Sequence, residues 1–221
     1  MSYILNLESS STNCSVSLAL NGNLIIIKEI NSENYSHSVQ LHSIIKEILK
    51  KSNVLIEELS AVAISKGPGS YTGLRIGAAA AKGLCYALNI PLISVSTLLI
   101  LAHQIKIEKG LIVPVIDARR DEVYFGVFDP SYNVIENPAP RIITSKSFKE
   151  LSNNNKIYFV GSGQKKCESI LQKNSNLIFS FNNCLPSSNE MVRISNEKFN
   201  DSIFENLAYF EPDYLKKFSI N

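Results

Sequence analysis

Residues 67–77 read Gly67-Pro68-Gly69-Ser70-Tyr71-Thr72-Gly73-Leu74-Arg75-Ile76-Gly77, and the setting of this stretch decides the fold. An apolar run at 59–65, Leu-Ser-Ala-Val-Ala-Ile-Ser, precedes it and has the look of a buried strand. Residues 74–88 follow, rich in Ala and Leu and without Pro, which is the composition of a helix. The glycines therefore occupy a strand-to-helix turn. Gly67 and Gly69 tolerate positive φ and close backbone approach, Pro68 stiffens the turn, and Ser70 or Thr72 can cap the helix. Two readings stand on this local chemistry. One is a tightly packed turn; the other is a lip whose N–H groups meet an anion.

Upstream, a β-rich run at 3–7 ends in an acid, Glu8, and a polar turn at 9–13 leads to an alternating strand at 14–20. Asn21-Gly22 is a hairpin signal, with a third strand at 24–30. The period then changes: Leu41, Ile44, Ile45, Ile48 and Leu49 fall on one face of an amphipathic helix starting near residue 38. Downstream of the glycine turn and its helix come a strand at 91–95 and a helix at 98–105. The second half opens like the first. A strand at 111–116 ends in Asp117, and the polar turn Ala118-Arg119-Arg120-Asp121 leads to an alternating strand at 123–128. The echo reads either as two similar α/β lobes around a cleft, where the acids would meet phosphates and metal, or as coincidence between common hairpins. Beyond Pro130 the pattern weakens to a strand at 158–160, a Gly161-Ser162-Gly163 turn, a helix near 164–171, and a polar stretch at 182–204 with a short helix around 190–199.

Composition excludes several classes. With 221 residues and 45% hydrophobic content the chain builds a genuine core, as one domain or two small subdomains. Its 22 basic and 20 acidic residues leave a net charge of +2, no footprint of an independent nucleic-acid binder. Cys14, Cys85, Cys167 and Cys184 lack paired spacing, which points to reduced thiols rather than a zinc knuckle or disulfide framework. The N-terminus has no basic region of a signal peptide, and the apolar stretch at 90–102 is short for a membrane span. A cytoplasmic protein without membrane contact is expected.

Four segments in order then carry a family resemblance: the opening strand with its acid and Ser/Thr turn, GPGSYTGLRIG at 67–77, VIDARRDEVYFGVF at 115–128, and EPDYLKK at 211–217. Together they resemble the TsaB family, the non-catalytic, dimer-forming subunit of the bacterial tRNA threonylcarbamoyladenosine machinery. The resemblance implies an actin-like (sugar kinase and heat-shock ATPase) fold of two similar lobes, each a mixed sheet with helices. It divides the chain into an N-terminal lobe at 1–105 and a C-terminal lobe at 106–221, whose last segment returns to the first. Implied partners are the catalytic paralogue TsaD, as a heterodimer, and the ATPase TsaE, with a homodimer when alone and tRNA reached only through the complex. The departures are Glu8 where the family has Asp, Tyr71 where it often has Phe, and Lys216 where it commonly has Arg.

The residues argue against an independent catalyst. Catalytic relatives of this fold carry His-x-x-x-His on the helix after the strand at 91–95, two imidazoles on one face that can grip a metal. Those positions hold Thr97 and Leu101 here, and His37, His42 and His103 have no metal-binding spacing. The 118–121 turn has no glycine to admit phosphate, and Ser70 lacks both the G-x-S-x-G setting and an activating His. Glu8, Ser10, Gly67, Gly69, Ser70 and Asp117 remain as a vestigial nucleotide or anion site, with no resident cofactor and any weak nucleotide affinity confined to the complex. The alternative is a free-standing actin-like-fold ATPase or small-molecule kinase; a metallopeptidase lacks its ligand pair.

Function is then expected on the surface helices. Gly73, Gly77 and Ala81 recur every four residues, a small face that allows close helix approach and belongs either inside the fold or at a docking surface. With Leu41 and Ile45 on the preceding helix, and with family dimers using their first two helices, these five residues are the expected interface. Gly73→Leu or Gly77→Leu is expected to leave a folded protein that binds TsaD more weakly.

Overall fold

The computed structural model describes residues 1–31, 37–182 and 184–216, with side chains from residue 40 onwards in the first helix. The chain divides into two units. The first comprises Met1–Ile100 with Pro186–Asp213; the second comprises Leu101–Leu185 with the described residues from Tyr214 onwards. The boundary thus falls before residue 105, and the segment at 186–213 belongs with the first unit.

In the first unit the strands are β1 (Tyr3–Glu8), β2 (Asn13–Leu20), β3 (Asn23–Asn31), β4 (Leu59–Gly67) and β5 (Leu92–Ser96), in sheet order β3-β2-β1-β4-β5. β1, β2 and β3 pair antiparallel, the second pair closed by Asn21 and Gly22 at positive φ, while β4 and β5 join parallel to β1. Both sheet faces are covered. Helix α1 (His37–Ser52) and helix α2 (Tyr71–Leu88) lie over one face, where Leu5, Leu7, Val16, Leu18, Val62 and Ile64 form its core. The other face presents Ile4, Ala61, Ala63, Ile93 and Val95 to Met191 and Ile194. Each fully buried Val, Leu, Ile or Met side chain among these contributes about 1.5–3 kcal/mol.

Those last two residues sit on a helix that polar composition partly hides. With the short helix α3 (Thr97–Ala102) and two further helices of the second unit intervening, it is α6 (Ser188–Asn200). Serines dock it. The Ser15 and Ser188 hydroxyls lie 2.7 Å apart, Ser15 Oγ accepts the Ser188 N–H at 3.0 Å, and Ser17 donates to the Ser188 carbonyl at 2.9 Å. Ser195 donates to Asn6 Oδ1 at 2.6 Å. A strand face of Ser and Ala lets a polar helix lie close, because each buried hydroxyl meets a partner.

The second unit contains β6 (Leu111–Asp117), β7 (Glu122–Phe128), β8 (Val134–Ile142), α4 (Lys149–Asn154), β9 (Ile157–Val160), α5 (Gln164–Ile170) and β10 (Leu177–Phe179). Its order, β10-β9-β6-β7-β8, repeats the first sheet, with β6–β7–β8 antiparallel and β9 and β10 joined parallel. The echo of two acid-ended hairpins is a repeat of a whole topology. The sequence pattern hides β8, because Pro138 and Pro140 interrupt it; as an edge strand it needs no second set of ladder donors. Phe148 packs edge-on between Phe125 and Phe159 at 5.6 and 5.4 Å in this core.

Candidate functional site

β1 ends in Glu8, which is fully buried, and the polar turn after it folds back over its carboxylate. The Ser10 N–H donates to Glu8 Oε1 at 2.6 Å, whereas Glu8 Oε2 has no hydrogen-bond partner among the described residues. Burial pushes the carboxyl up to about 7; hydrogen bonds from Ser10 and Ser65 oppose this, and nearby Glu190 adds to it. The Ser96 and Thr97 hydroxyls are also buried and without a partner among the described residues. Glu8, Ser96 and Thr97 stand where the parallel strands β1 and β5 end, the edge at which open α/β sheets hold ligands.

The glycine turn closes over this edge, and its glycines meet the chain itself. An added Cβ on Gly69 would lie 2.7 Å from Ser10 Cβ and overlap the Ser10 carbonyl oxygen. At Gly73 a Cβ would overlap the Ser9 carbonyl oxygen, and at Gly77 it would overlap the Ser9 hydroxyl and come 2.8 Å from Ile64. Two of the turn's N–H donors are engaged as well. Ser70 N–H donates to the Ser10 carbonyl at 2.7 Å, Gly73 N–H to the Ser70 hydroxyl at 3.3 Å, and the Ser9 hydroxyl to the Gly73 carbonyl at 2.9 Å. Gly67, at φ +110°, faces the Asp213 carbonyl, whose residue also pairs with Lys66 at 3.1 Å. Of the two local readings, the tightly packed turn describes the contacts at Gly69, Gly73 and Gly77, which lie against Ser9 and Ser10.

Asp117 belongs to the second unit and is half-exposed, with Oδ1 accepting from Lys166 at 2.7 Å and from the Arg119 N–H at 2.7 Å. Lys166 also donates to the Glu122 carbonyl, and Lys216 binds both the Glu122 carboxylate and the Ala118 carbonyl. Arg119 and Arg120 hold this turn at positive φ, and of the described tail residues Lys216 bonds to this hairpin. Lys217, at the end of that motif, lies outside the described residues, as does the side chain of His37. Thr97 and Leu101 are fully buried, and His103 stacks on Tyr132 at 3.9 Å. Among the described residues no three His, Cys, Asp or Glu side chains group closely enough to hold a metal ion.

The expected interface residues are placed inward. Leu41 and Ala81 are fully buried and Ile45 nearly so, all three within the first unit's own core. Gly73 and Gly77 face the Ser9 turn. The reason is geometric: a helix crossing its own sheet needs its small residues on the inner face, so a small-residue stripe marks close packing without saying against what. A side chain at Gly73 would overlap the Ser9 carbonyl, so Gly73→Leu is expected to disturb the first unit's own packing rather than leave a folded, weakly binding variant. The outward face of α2 carries Thr72, Arg75, Ala79, Gly83 and Tyr86, and a Cβ on Gly83 would meet nothing within 4 Å. Beside it, α1, α2 and the residues after α1 enclose a groove of about 650 Å³. Ile45, Leu49, Val54 and Leu84 line it, with Leu55 standing 67% exposed at its lip. The sequence held one signal for this groove: three apolar residues, Val54, Leu55 and Ile56, placed in the polar connection after the helix.

No described helix is long and apolar enough to cross a membrane. The family described as TsaD, tRNA N6-adenosine threonylcarbamoyltransferase, matches residues 27–221. The tRNA threonylcarbamoyladenosine biosynthesis protein TsaB of Buchnera aphidicola subsp. Acyrthosiphon pisum is 30% identical over 93% of this chain and 96% of its own length. TsaB of Bacillus subtilis is 35% identical over 62% of this chain, a match that spans 59% of that protein. YeaZ from Pseudomonas aeruginosa has the same fold, with a TM-score of 0.85 at 24% identity, covering 97% of this chain and 100% of the other. Two similar mixed sheets clothed in helices, with these relatives, define an actin-like fold of the sugar kinase and heat-shock ATPase type. Within that class the chain belongs to the TsaB family.

Proposed function

We propose that this chain is a non-catalytic subunit that binds and activates the TsaD threonylcarbamoyltransferase, in the modification of the tRNA adenosine beside the anticodon. The observation that supports this best is the state of the glycine turn: the Ser70 N–H is spent on the Ser10 carbonyl and Gly69, Gly73 and Gly77 lie against Ser9 and Ser10, within a chain of the TsaB family. A phosphate-binding loop keeps backbone N–H groups available for its ligand. The turn has become scaffolding. In the working assembly TsaD pairs with this chain, TsaE joins the pair, tRNA is reached through the complex, and the chain self-associates when TsaD is absent, all in the cytoplasm.

The docking surface is the outward side of α1 and α2: the groove lipped by Leu55 and the open small face at Ala79 and Gly83. The test is reconstitution. The purified chain alone is expected to transfer no threonylcarbamoyl group to tRNA, and adding it to TsaD and TsaE is expected to restore transfer. Transfer by the isolated chain would overturn the proposal. Tight calorimetric binding of ATP and magnesium by the chain alone would favour the free-standing ATPase instead.

A further inference from the structure

Charge is unevenly shared between the two units. The second holds 13 of the 22 basic residues and 8 of the 20 acidic ones, a net charge of +5, which leaves −3 on the first. The balance of +2 over the whole chain hides this, because it averages a basic unit with an acidic one. Two cations of the basic unit stand at the tip of the β6–β7 hairpin. Arg119 and Arg120 are both exposed and take φ of +66° and +47°, the left-handed region that favours glycine. Backbone held there in spite of two long side chains points to a use for those side chains.

The acids beside them are largely paired within the hairpin. Asp117 accepts from Lys166, and Glu122 is clasped by Lys216, so Asp121 is the acid of residues 117–122 without an ion pair among the described residues. Neither arginine has such a pair either, and nor does Lys165, exposed at the start of α5. Two lysines thus neutralise the hairpin's own carboxylates and leave two guanidinium groups facing outward. Without a glycine the turn's backbone cannot approach a phosphate closely, but a guanidinium reaches beyond the backbone and grips one with two parallel N–H bonds.

We infer that Arg119 and Arg120 contact the phosphodiester backbone of tRNA when the chain is assembled with TsaD, holding the RNA without reading its sequence. The inference rests on the scaffold role proposed above and gives that role a second task. A protein partner would need a packed apolar centre beside the arginines. Ile142, opposite Glu122 at the end of β8 and 62% exposed, offers a single apolar side chain there. A polyanion needs only the charge, so RNA is the better fit.

Arg119→Asn with Arg120→Asn removes both charges and supplies a residue that tolerates left-handed backbone, so the fold is kept, as thermal unfolding would verify. Retention of unmodified tRNA by the assembled complex is then measured against salt. The variant is expected to bind about tenfold more weakly at about 50 mM salt, and to flatten the slope of log affinity on log salt by about one to two. The loss should be equal on a tRNA lacking the target adenosine, because phosphate contacts carry no sequence information. In the transfer reaction the KM for tRNA should rise with kcat unchanged. Independently of the arginines, Asp121→Asn removes the competing acid and should strengthen retention, whereas Ile142→Ser should change nothing. Unchanged tRNA retention in the arginine variant overturns the inference and leaves the scaffold role standing. Loss of TsaD binding in that variant or in Ile142→Ser assigns the tip to a protein interface and also overturns it. A wild-type chain that fails to restore transfer to TsaD and TsaE overturns both.

Discussion

Replacing Glu8 by Gln should make the protein more stable in alkaline solution than in acid, relative to the wild type. The Glu8 carboxyl is fully buried and raised from an ordinary 4.5 to about 7, chiefly by desolvation. A raised acid binds its proton more tightly in the folded state, so folding is favoured below the unfolded value and disfavoured as pH climbs through the folded one. The interval from 4.5 to about 7 corresponds to roughly 3 kcal/mol lost by the wild type, with a plateau above it. Gln keeps the carbonyl that accepts the Ser10 N–H and cannot ionise. Its new N–H group enters a site where Oε2 had no partner, a constant penalty of about 1–3 kcal/mol if it finds no acceptor. That offset does not change with pH. The diagnostic is therefore the slope of the difference: thermal midpoints of variant minus wild type, from pH 4.5 to 8, should climb by roughly 6–12 °C. A flat difference would show that Glu8 is solvated and titrates normally, refuting the buried, uncompensated carboxyl.

Gly73→Ala should destabilise the fold by about 1–3 kcal/mol or more, because its Cβ meets the Ser9 carbonyl, which urea unfolding would measure. Gly83→Ala, with open space at its Cβ, should stabilise the isolated chain by about 0.5–1 kcal/mol through helix propensity, while weakening association with TsaD in a binding titration. Ser15→Ala leaves the Ser188 N–H without its acceptor and should cost about 1–3 kcal/mol, seen as faster hydrogen exchange in α6 than in α1. Asp117→Asn removes an ion pair whose carboxylate is half-exposed, so thermal stability should change by less than about 1 kcal/mol.

Local order was legible wherever one face of an element is apolar and the other is not. The period-two runs at 3–7, 14–20 and 123–128, the helical stripe from Leu41 to Leu49 and the Asn21-Gly22 turn all state their structure through spacing alone. The motif at 67–77 likewise announced a strand, a turn and a helix, and its Ser70 cap is the one formed. Elements that depend on distant partners stayed hidden. Strand β8 carries two prolines that only an edge position permits, and α6 hides its buried stripe because Ser188 and Ser195 satisfy their hydroxyls on strands far back in the chain. The same holds for the site. Sequence determined that a glycine turn exists, that an acid ends β1, and that a helix of small residues follows; it also holds the motifs of the family. Only the tertiary structure decided what those glycines face, since positive φ and missing Cβ atoms serve a ligand and a neighbouring backbone equally well. Ser9 and Ser10 occupy that space, Leu41 and Ala81 turn inward, and the lysines of α1 turn outward, because burial of each face depends on the sheet beneath it.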